Sequence, residues 1–274
     1  MSPFAEKTVL VTGATDGLGR ALAQAIAAEG ATLLVHGRDP VRGADTVNEI
    51  RTATGNDKVS LVLADFASLA QVRALAESLR ADHDRIDVLV NNAGIGATVP
   101  GGRGRSESED GYELRFQVNY LAGFLLTRLL LGTLISTGDA RVVQVSSAGQ
   151  AALDFDDVML ERRYDGIHAY CQSKLAQIMF TFDLAQDVDF AASGGTATAL
   201  HPASYMPTKI VDTPMSTVAD GVAATLRLVS APELAGVTGR YFDRTSDRRA
   251  AAQAYDLDAR ARLRELSEKL TGLN

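Results

Sequence analysis

The chain has 274 residues, is 46% hydrophobic and carries a formal net charge of −7. This composition fits one large α/β domain, and the acidic balance argues against a nucleic acid or an anionic membrane surface as the principal partner. A small anionic ligand in a local basic pocket is still allowed. Cys171 is the only cysteine, which excludes an intramolecular disulfide. We recognise no signal peptide and no run of about 18 apolar residues that would span a membrane, so we expect a cytoplasmic protein.

A glycine-rich turn follows the first predicted strand. Residues 8–11 are β-branched or apolar, and the residues T-G-A-T-D-G-L-G follow before a helical pattern of apolar residues. Such a turn presents backbone N–H groups at a helix N-terminus, and its glycines let a pyrophosphate come close. A purely structural turn is the alternative. The cofactor contacts predicted here are Gly13, Thr15, Asp16, Gly17, Leu18 and Gly19.

The second predicted strand, residues 32–36, ends at Gly37, and Arg38 follows. An acidic residue at this place would bind a ribose 2′-hydroxyl, whereas a guanidinium group suits a 2′-phosphate. The sequence therefore favours NADP(H) over NAD(H). The alternative is that Arg38 is a surface charge beside Asp39, which caps the helix after Pro40.

Strand and helix patterns then alternate along the chain. Further strands are predicted at 59–63, 86–90, 141–145, 196–200 and 239–242. This rhythm predicts a single doubly wound (Rossmann) α/β domain over residues 1–274, with a parallel sheet of about seven strands and helices on both faces. Asp65 ends the third strand, where its carboxylate could accept a hydrogen bond from an adenine amino group or cap the next helix.

Two stretches between these elements are less regular. Residues 97–111 are rich in glycine and arginine and look like a mobile surface loop; an Arg-Gly nucleic-acid tail is the weaker alternative, because acidic residues follow. Residues 112–134 form a long helical pattern that contains Asn119 among apolar neighbours. A buried helical asparagine needs partners, so Asn119 is either an oriented functional amide or the site of a local kink.

Tyr170 and Lys174 lie four residues apart at the start of a helical pattern, so they share one helix face. A neighbouring cation favours the phenolate, although lowering a phenol pKa by about 3 units needs more than one solvent-screened charge. Chance spacing on an amphipathic helix is the alternative. Ser146 and Ser147 close the strand at 141–145, at the edge of the sheet where α/β proteins bind ligands.

Taken together, the motifs T-G-x3-G-x-G, N-N-A-G, S-S and Y-x3-K, with Asn119, resemble the short-chain dehydrogenase/reductase family over nearly the whole chain. The resemblance implies that Ser147 binds the substrate oxygen and that Tyr170 exchanges the proton. It implies that Lys174 binds the nicotinamide ribose and lowers the Tyr170 pKa, and that Asn119 orients a water. It further implies cofactor contacts at Asp65, Phe66, Asn92, Ala93 and Gly94, besides the glycine turn, Gly37 and Arg38.

The insert at 154–166, with A-Y-C-Q-S-K-L-A-Q and H-G-R-D, resembles the retinol-dehydrogenase and protochlorophyllide-reductase branch, whose members mostly use NADP(H). The substrate implied is a small carbonyl compound or alcohol. A redox-silent cofactor sensor, a C=C reductase and an epimerase are the alternatives. The resemblance also implies a homodimer or homotetramer, paired through the helices around 112–134 and 169–184.

Near the sixth strand, the family pattern would place nicotinamide contacts at Pro202, Ala203 and Thr208, although Ala203 stands where relatives usually carry glycine. His201 is a candidate catalyst, but a strand-end histidine is more often structural. Residues 210–218 are predicted to form a lid, and residues 248–270 an amphipathic helix without catalytic candidates. We expect no metal site.

Overall fold

The computed structural model describes residues 2–97, 104–204, 206 and 215–273. Within them, one eight-stranded sheet has the order β3-β2-β1-β4-β5-β6-β7-β8. The strands are β1 (Thr8–Val11), β2 (Thr32–Gly37), β3 (Val59–Leu63), β4 (Val88–Asn91), β5 (Arg141–Val145), β6 (Thr196–His201), β7 (Arg240–Asp243) and β8 (Ser246–Arg248). The helices are α1 (Gly17–Ala28), α2 (Pro40–Thr54), α3 (Leu69–Asp82), α4 (Leu114–Phe116), α5 (Ala122–Leu129), α6 (Leu131–Thr137), α7 (Gly166–Leu184), α8 (Val188–Ala192), α9 (Val218–Ser230) and α10 (Leu257–Thr271).

The predicted doubly wound fold is confirmed, with one correction. The strands β1 to β7 are parallel, and β8 adds an antiparallel edge strand to β7. Strand β8 was not predicted from the sequence, because its three residues are polar and exposed. Arg244, with φ of +56°, lies in the two-residue turn that joins β7 to β8.

Alternating side chains of the strands pack into two hydrophobic cores, one on each face of the sheet. On β1, Val9 and Val11 pack on the face covered by α1, α2 and α9, while Leu10 packs on the opposite face with α3, α5 and α7. The strand order reverses between β1 and β4, which is where sheets of this kind bind ligands at their carboxyl edge.

The helix predicted at 112–134 is not one straight element. A π-helical turn, Gln117–Leu121, separates α4 from α5, and α6 follows after Leu130. The extra residue of a π turn rotates the side chains that follow it, and such turns are frequent at functional sites. Asn119 lies inside this turn and is buried. The structure therefore contains a local irregularity at Asn119, and the Asn119 amide is also oriented by hydrogen bonds to Ile95 and Ser173.

Residues 104–111, the described part of the loop predicted at 97–111, form a surface loop with internal hydrogen bonds. The chain doubles back from Ser106 to Leu114, with Glu107 bridging Glu113. Asp110 accepts a hydrogen bond from the Leu69 backbone at the start of α3. The carboxylate of Asp110 therefore caps a helix that is distant in sequence. The remainder of the predicted loop, 98–103, lies outside the described residues.

The C-terminal helix α10 packs against α7 and the π turn 117–121, which lie in the two helical stretches expected to pair between subunits. Tyr120 and Ser267 hydroxyls are 2.7 Å apart, and Arg264 pairs with Asp183 at 3.1 Å. This helix begins at Leu257, later than the predicted 248. Helix α10 covers part of the surface that was expected to pair with a second subunit. A homodimer or homotetramer therefore stays a prediction.

No single helix among the described residues is both long enough and apolar enough to cross a membrane. The helical segments Leu114–Leu129 and Leu131–Thr137, which meet at a bend of 56°, satisfy the two criteria only when they are taken together.

Candidate active site

The glycine turn lies between β1 and β4, at the reversal point of the strand order. Gly13 has φ of +63°, and a Cβ atom there would lie 2.8 Å from the Ala93 Cα atom. A Cβ atom on Gly19 would lie 2.3 Å from the Gly13 carbonyl oxygen. The turn therefore needs glycine at both places. Asp16 is the N-cap of α1, and its side chain accepts from the Gly17 N–H. The Leu18 side chain is buried in the core, so Leu18 can contact a ligand only through its backbone.

Asn92 holds this turn. Its side-chain nitrogen donates to the carbonyl oxygens of Thr12 at 2.8 Å and Gly13 at 3.1 Å. The Thr12 hydroxyl in turn accepts from the backbone N–H groups of Asn92 and Ala93. The side-chain nitrogen of Asn92 is committed to the glycine turn, and the expected contact of Asn92 with the adenosine ribose side stays a prediction.

His36 is a residue of the site that the sequence analysis missed. Its Nδ1 atom accepts from the Gly13 N–H at 3.1 Å, and its Nε2 atom lies 3.1 Å from the Ala64 carbonyl oxygen. The ring also stacks on Phe66, at 4.4 Å between centroids. Burial lowers the pKa of His36 to about 4, so the neutral ring accepts at Nδ1. The ring of Phe66 is used in this stack, which leaves its backbone for the predicted cofactor contact.

We expect the His36→Asn variant to lose less stability than the wild-type chain when the pH falls from 7 to 5. The unfolded chain binds a proton near pH 6.5 that the folded chain binds only near pH 4, so His36 makes stability fall as the pH drops through this window. The contribution is about 2 kcal/mol between pH 7 and pH 5. Urea unfolding of both chains at the two pH values measures it, and other groups cancel in the comparison. Equal losses in the two chains would contradict a neutral, buried His36.

The predicted adenosine end lies where β2 and β3 finish. Arg38 is 64% exposed and pairs with Asp65 at 3.7 Å. Asp65 also accepts from the Ala67 backbone at 2.9 Å, two residues before α3 begins. The predicted capping of α3 by Asp65 is therefore wrong, because Asp110 accepts from the first N–H of that helix. The predicted adenine contact stays a prediction. Asp39 caps α2 and leaves Arg38 on the open side of the sheet edge. An exposed ion pair contributes little, so Arg38 can turn towards a stronger anion.

Gly37 has a steric role that the sequence did not reveal. A Cβ atom there would lie 2.5 Å from the Thr15 γ-methyl carbon. A side chain at position 37 therefore requires Thr15 to move. The glycine is needed for packing.

The two serines after β5 have different environments. Ser146 is buried, and its hydroxyl donates to the Lys174 carbonyl oxygen at 2.7 Å. The Ser147 hydroxyl accepts from the Gly149 N–H at 3.0 Å and shares a hydrogen bond with the Tyr170 phenol. The structure thus brings Ser147, rather than Ser146, to Tyr170, as predicted.

Lys174 is on the same face of α7 as Tyr170, with its Nζ atom 5.6 Å from the centre of the Tyr170 ring. It donates to the Val145 carbonyl oxygen at 2.9 Å and to Gln177 at 3.0 Å. Burial lowers the Lys174 pKa to about 7. Burial also raises the pKa of Tyr170, against a smaller lowering by the hydrogen bond from Ser147. In the protein alone, Lys174 therefore does not produce the low phenol pKa that the resemblance implies.

Asn119 reaches the same place from the π turn. Its oxygen accepts from the Ile95 N–H at 2.7 Å, and its nitrogen donates to Ser173 at 3.0 Å. A Cβ atom on Gly94 would lie 3.2 Å from the Asn119 oxygen and 3.5 Å from the Lys174 nitrogen. Gly94 is therefore the point at which these two predicted residues meet, and its missing side chain keeps the space between them open.

A buried ionic cluster flanks this space and was also missed from the sequence. Glu113 and Arg115 are fully buried and 3.6 Å apart. Arg115 donates to the carbonyl oxygens of Gly96 and Ala97, and the Tyr164 phenol joins both charged groups. Tyr164 belongs to the 154–166 insert. The cluster therefore connects the insert, through Arg115, to the backbone of Gly96 and Ala97. The residues are about 50 positions apart in sequence, and no local pattern indicates their contact.

The remaining predicted contacts follow β6. Pro202 and Ala203 are buried at its carboxyl end, while Thr208 and most of the predicted lid lie outside the described residues. His201 Nε2 is 3.1 Å from the Ser204 hydroxyl, and burial lowers the His201 pKa. These contacts agree with the structural interpretation of His201. Among the described residues, no group of three or more histidine, cysteine or carboxylate side chains could hold a metal ion.

Comparison with known proteins supports this geometry. A family model described as short chain dehydrogenase matches residues 7–214. The chain is 35% identical to human retinol dehydrogenase 13, over 97% of this chain and 85% of that protein. It also resembles the crystal structure of an uncharacterized protein from Mycobacterium paratuberculosis, with 32% identity, coverage of 98% and 94%, and a TM-score of 0.81. A third similar structure is a protein from Beutenbergia cavernae with NADP bound at low occupancy, at 28% identity, coverage of 88% and 96%, and a TM-score of 0.70.

The family model covers most of the chain, and a relative 35% identical is aligned over 97% of it. The chain therefore belongs to the short-chain dehydrogenase/reductase family, in the branch that resembles the retinol dehydrogenases.

Proposed function

We propose that this chain is an NADP(H)-dependent oxidoreductase that interconverts a carbonyl compound and an alcohol. The observation that carries the proposal is the convergence of Ser147, Tyr170, Lys174 and Asn119 beside Gly94. Membership of an oxidoreductase family agrees with it. A hydroxyl and a phenol joined by a hydrogen bond suit an oxygen that gains or loses a proton during the reaction.

The described residues fit a dinucleotide. Cβ atoms at Gly13 and Gly19 would collide with the protein's own backbone, so glycine keeps this turn tight. The turn leads into the N-terminus of α1, whose first N–H groups have no acceptor within the helix itself, although the Gly17 N–H donates to the Asp16 side chain. Gly13, Gly17 and Gly19 would hold the pyrophosphate, and Lys174 would bind the nicotinamide ribose. The bound nicotinamide would supply or accept a hydride.

The chain's own residues handle the proton and the substrate oxygen. The Ser147 hydroxyl would hold the carbonyl oxygen, and the Tyr170 phenol would donate a proton to that oxygen in the reductive direction. Burial raises the pKa of Tyr170 and lowers that of Lys174. The ribose hydroxyls and the positive charge of an oxidised cofactor would change both environments, which would bring the phenol pKa nearer to the working range.

The preference for NADP(H) is proposed from Arg38. Its guanidinium group is exposed at the end of β2, beside a glycine instead of an acidic residue. A 2′-phosphate carries more charge than the Asp65 carboxylate and can accept a forked pair of hydrogen bonds. The NADP bound to the Beutenbergia cavernae protein, which is described as NAD(P) dependent, supports NADP binding, whereas the preference over NAD rests on Arg38 and Gly37.

An apolar aldehyde or the matching alcohol is the substrate class that fits best. Ile167 lies one helical turn before Tyr170, on the same face of α7, and is 58% exposed. An exposed isoleucine beside the proton donor favours an apolar substrate over a sugar or a hydroxy acid. The name of the similar human protein, retinol dehydrogenase 13, points in the same direction.

A carbonyl panel tests this proposal. With NADPH in excess, we expect the full chain to reduce all-trans-retinal and long-chain aldehydes with kcat/KM about ten-fold or more above that for glyceraldehyde, because added apolar contacts are worth about 1–3 kcal/mol. Ile167→Asp should lower the value for the apolar substrates only. Val188→Asp, at an exposed apolar position at the start of α8, is the control. Tight NADPH binding without turnover on the whole panel would contradict the proposal.

A further inference from the structure

The backbone of Ser147 is held by two side chains outside the predicted site. The Tyr241 phenol, on β7, donates to the Ser147 carbonyl oxygen at 3.0 Å. The side-chain nitrogen of Gln150 donates to the same oxygen at 3.2 Å. A carbonyl oxygen has two lone pairs, so these two donors use its capacity and fix the orientation of the peptide plane between Ser147 and Ala148.

Both donors are themselves fixed. Tyr241 is 4% exposed, and burial raises its pKa to about 12, so the phenol remains a donor throughout the neutral range. The Gln150 oxygen accepts from the Ala251 N–H at 2.7 Å. The final part of the chain is therefore connected to the predicted catalytic serine through one glutamine side chain.

The peptide plane matters because of its neighbours. Rotating the Ser147 carbonyl would also move the Gly149 N–H, which donates to the Ser147 hydroxyl at 3.0 Å. On the other side, Ser146 is anchored to Leu200 and Lys174. The position of the Ser147 hydroxyl thus depends on anchors both before and after it in the chain.

We propose that Tyr241 and Gln150 act as a brace that positions the Ser147 hydroxyl against the Tyr170 phenol. They are positioning residues, since neither is placed against the substrate or the cofactor. The inference rests on the function proposed above and extends it to a second layer of residues. Nothing in the local sequence indicates the contact, because Tyr241 is 94 residues from Ser147.

The test compares two variants with the wild-type chain. Misplacing a reacting group by about 1 Å can cost about 10²-fold in rate. We expect Tyr241→Phe to lower kcat about ten-fold, and Tyr241→Phe combined with Gln150→Leu to lower it about a hundred-fold. The dissociation constant of NADPH, from fluorescence titration, should change less than about two-fold, because the brace touches no predicted cofactor contact. An equal rise in KM and in the NADPH dissociation constant would indicate general distortion and would overturn the brace.

Tyr112→Phe is the matched control. Its phenol also donates to a backbone carbonyl oxygen, that of Leu270, at 3.0 Å. It therefore loses the same kind of hydrogen bond to the C-terminal part of the chain, away from Ser147. Similar melting temperatures in Tyr112→Phe and Tyr241→Phe, with a loss of kcat only in the latter, would support the brace. An equal loss of kcat in both would overturn it.

A crystal structure of the double variant gives a readout that needs no turnover. We expect the Ser147 hydroxyl oxygen to move by more than about 0.5 Å, the tolerance of a working site. An unmoved hydroxyl would overturn the brace, whether or not the wild-type chain reduces a carbonyl. Failure of the wild-type chain on every substrate would instead contradict the proposed function, and the two outcomes are thereby separated.

Discussion

Tyr170→Phe is expected to lower turnover by about 10²- to 10⁴-fold, the usual contribution of a positioned acid or base. The phenol shares a hydrogen bond with Ser147, and removal of its oxygen takes away the proton donor without changing the shape of the ring. NADPH affinity should stay within a few-fold, because the phenol acts on the substrate oxygen. Single-turnover kinetics and a separate NADPH titration measure the two effects.

Lys174→Ala provides the contrast. Lys174 is expected to hold the nicotinamide ribose and to influence the phenol, so its loss should damage cofactor affinity and rate together. Tyr112→Phe, a phenol bound far from Ser147, should change neither. Residual activity above about a tenth of wild type in Tyr170→Phe would contradict the assignment of Tyr170 as the proton donor.

Arg38→Leu is expected to weaken NADPH binding by about ten- to a hundred-fold and to leave NADH nearly unchanged. A charge-assisted contact to the 2′-phosphate is worth about 1.5–3 kcal/mol, and NADH lacks that phosphate. Calorimetric titration of both cofactors measures the difference. Arg42→Leu is the matched control, because Arg42 is similarly exposed but pairs with Asp39 at the start of α2. Equal loss of both cofactors in Arg38→Leu would mean that Arg38 only shapes the loop.

Inverting the cofactor preference from NADPH to NADH requires a third substitution, besides those at positions 37 and 38. Gly37→Asp, combined with Arg38→Leu, would supply a carboxylate for a ribose hydroxyl. The new Cβ atom would, however, lie 2.5 Å from the Thr15 γ-methyl group. Adding Thr15→Ser removes that methyl group and keeps the hydroxyl. NADH should bind more tightly than NADPH in the triple variant, whereas the double variant should bind both cofactors poorly.

Local patterns were sufficient to predict the sheet and the residues of the candidate site. The glycine turn, the alternation of strands and helices, and the spacing of Tyr170 and Lys174 are properties of short windows, and the structure places them as predicted. The edge strand β8 escaped because it is short, polar and exposed. The π turn was indicated only by the alternative of a local kink at Asn119, because residues 117–121 contain no glycine or proline to mark it.

Contacts between distant segments could not be predicted from one sequence. His36 reaches Gly13 only because β2 lies beside β1, and Asn92 reaches the same turn only because β4 lies on the other side. The pairing of Tyr164 with Arg115 likewise depends on how the insert folds over the sheet. Each of these side chains looks like an ordinary strand-end or loop residue until its partner is known.

Transfer of a labelled hydride tests the central proposal most directly. NADPH carrying deuterium at nicotinamide C4, prepared separately in each of its two stereochemical forms, is incubated with the full chain and an apolar aldehyde. We expect one of the two forms to deliver deuterium to the carbon that bore the carbonyl oxygen, and Tyr170→Phe to abolish the transfer. Deuterium on a C=C carbon, or an epimerised product with no net label, would contradict carbonyl reduction, and a product without label from either form would contradict hydride transfer by this chain.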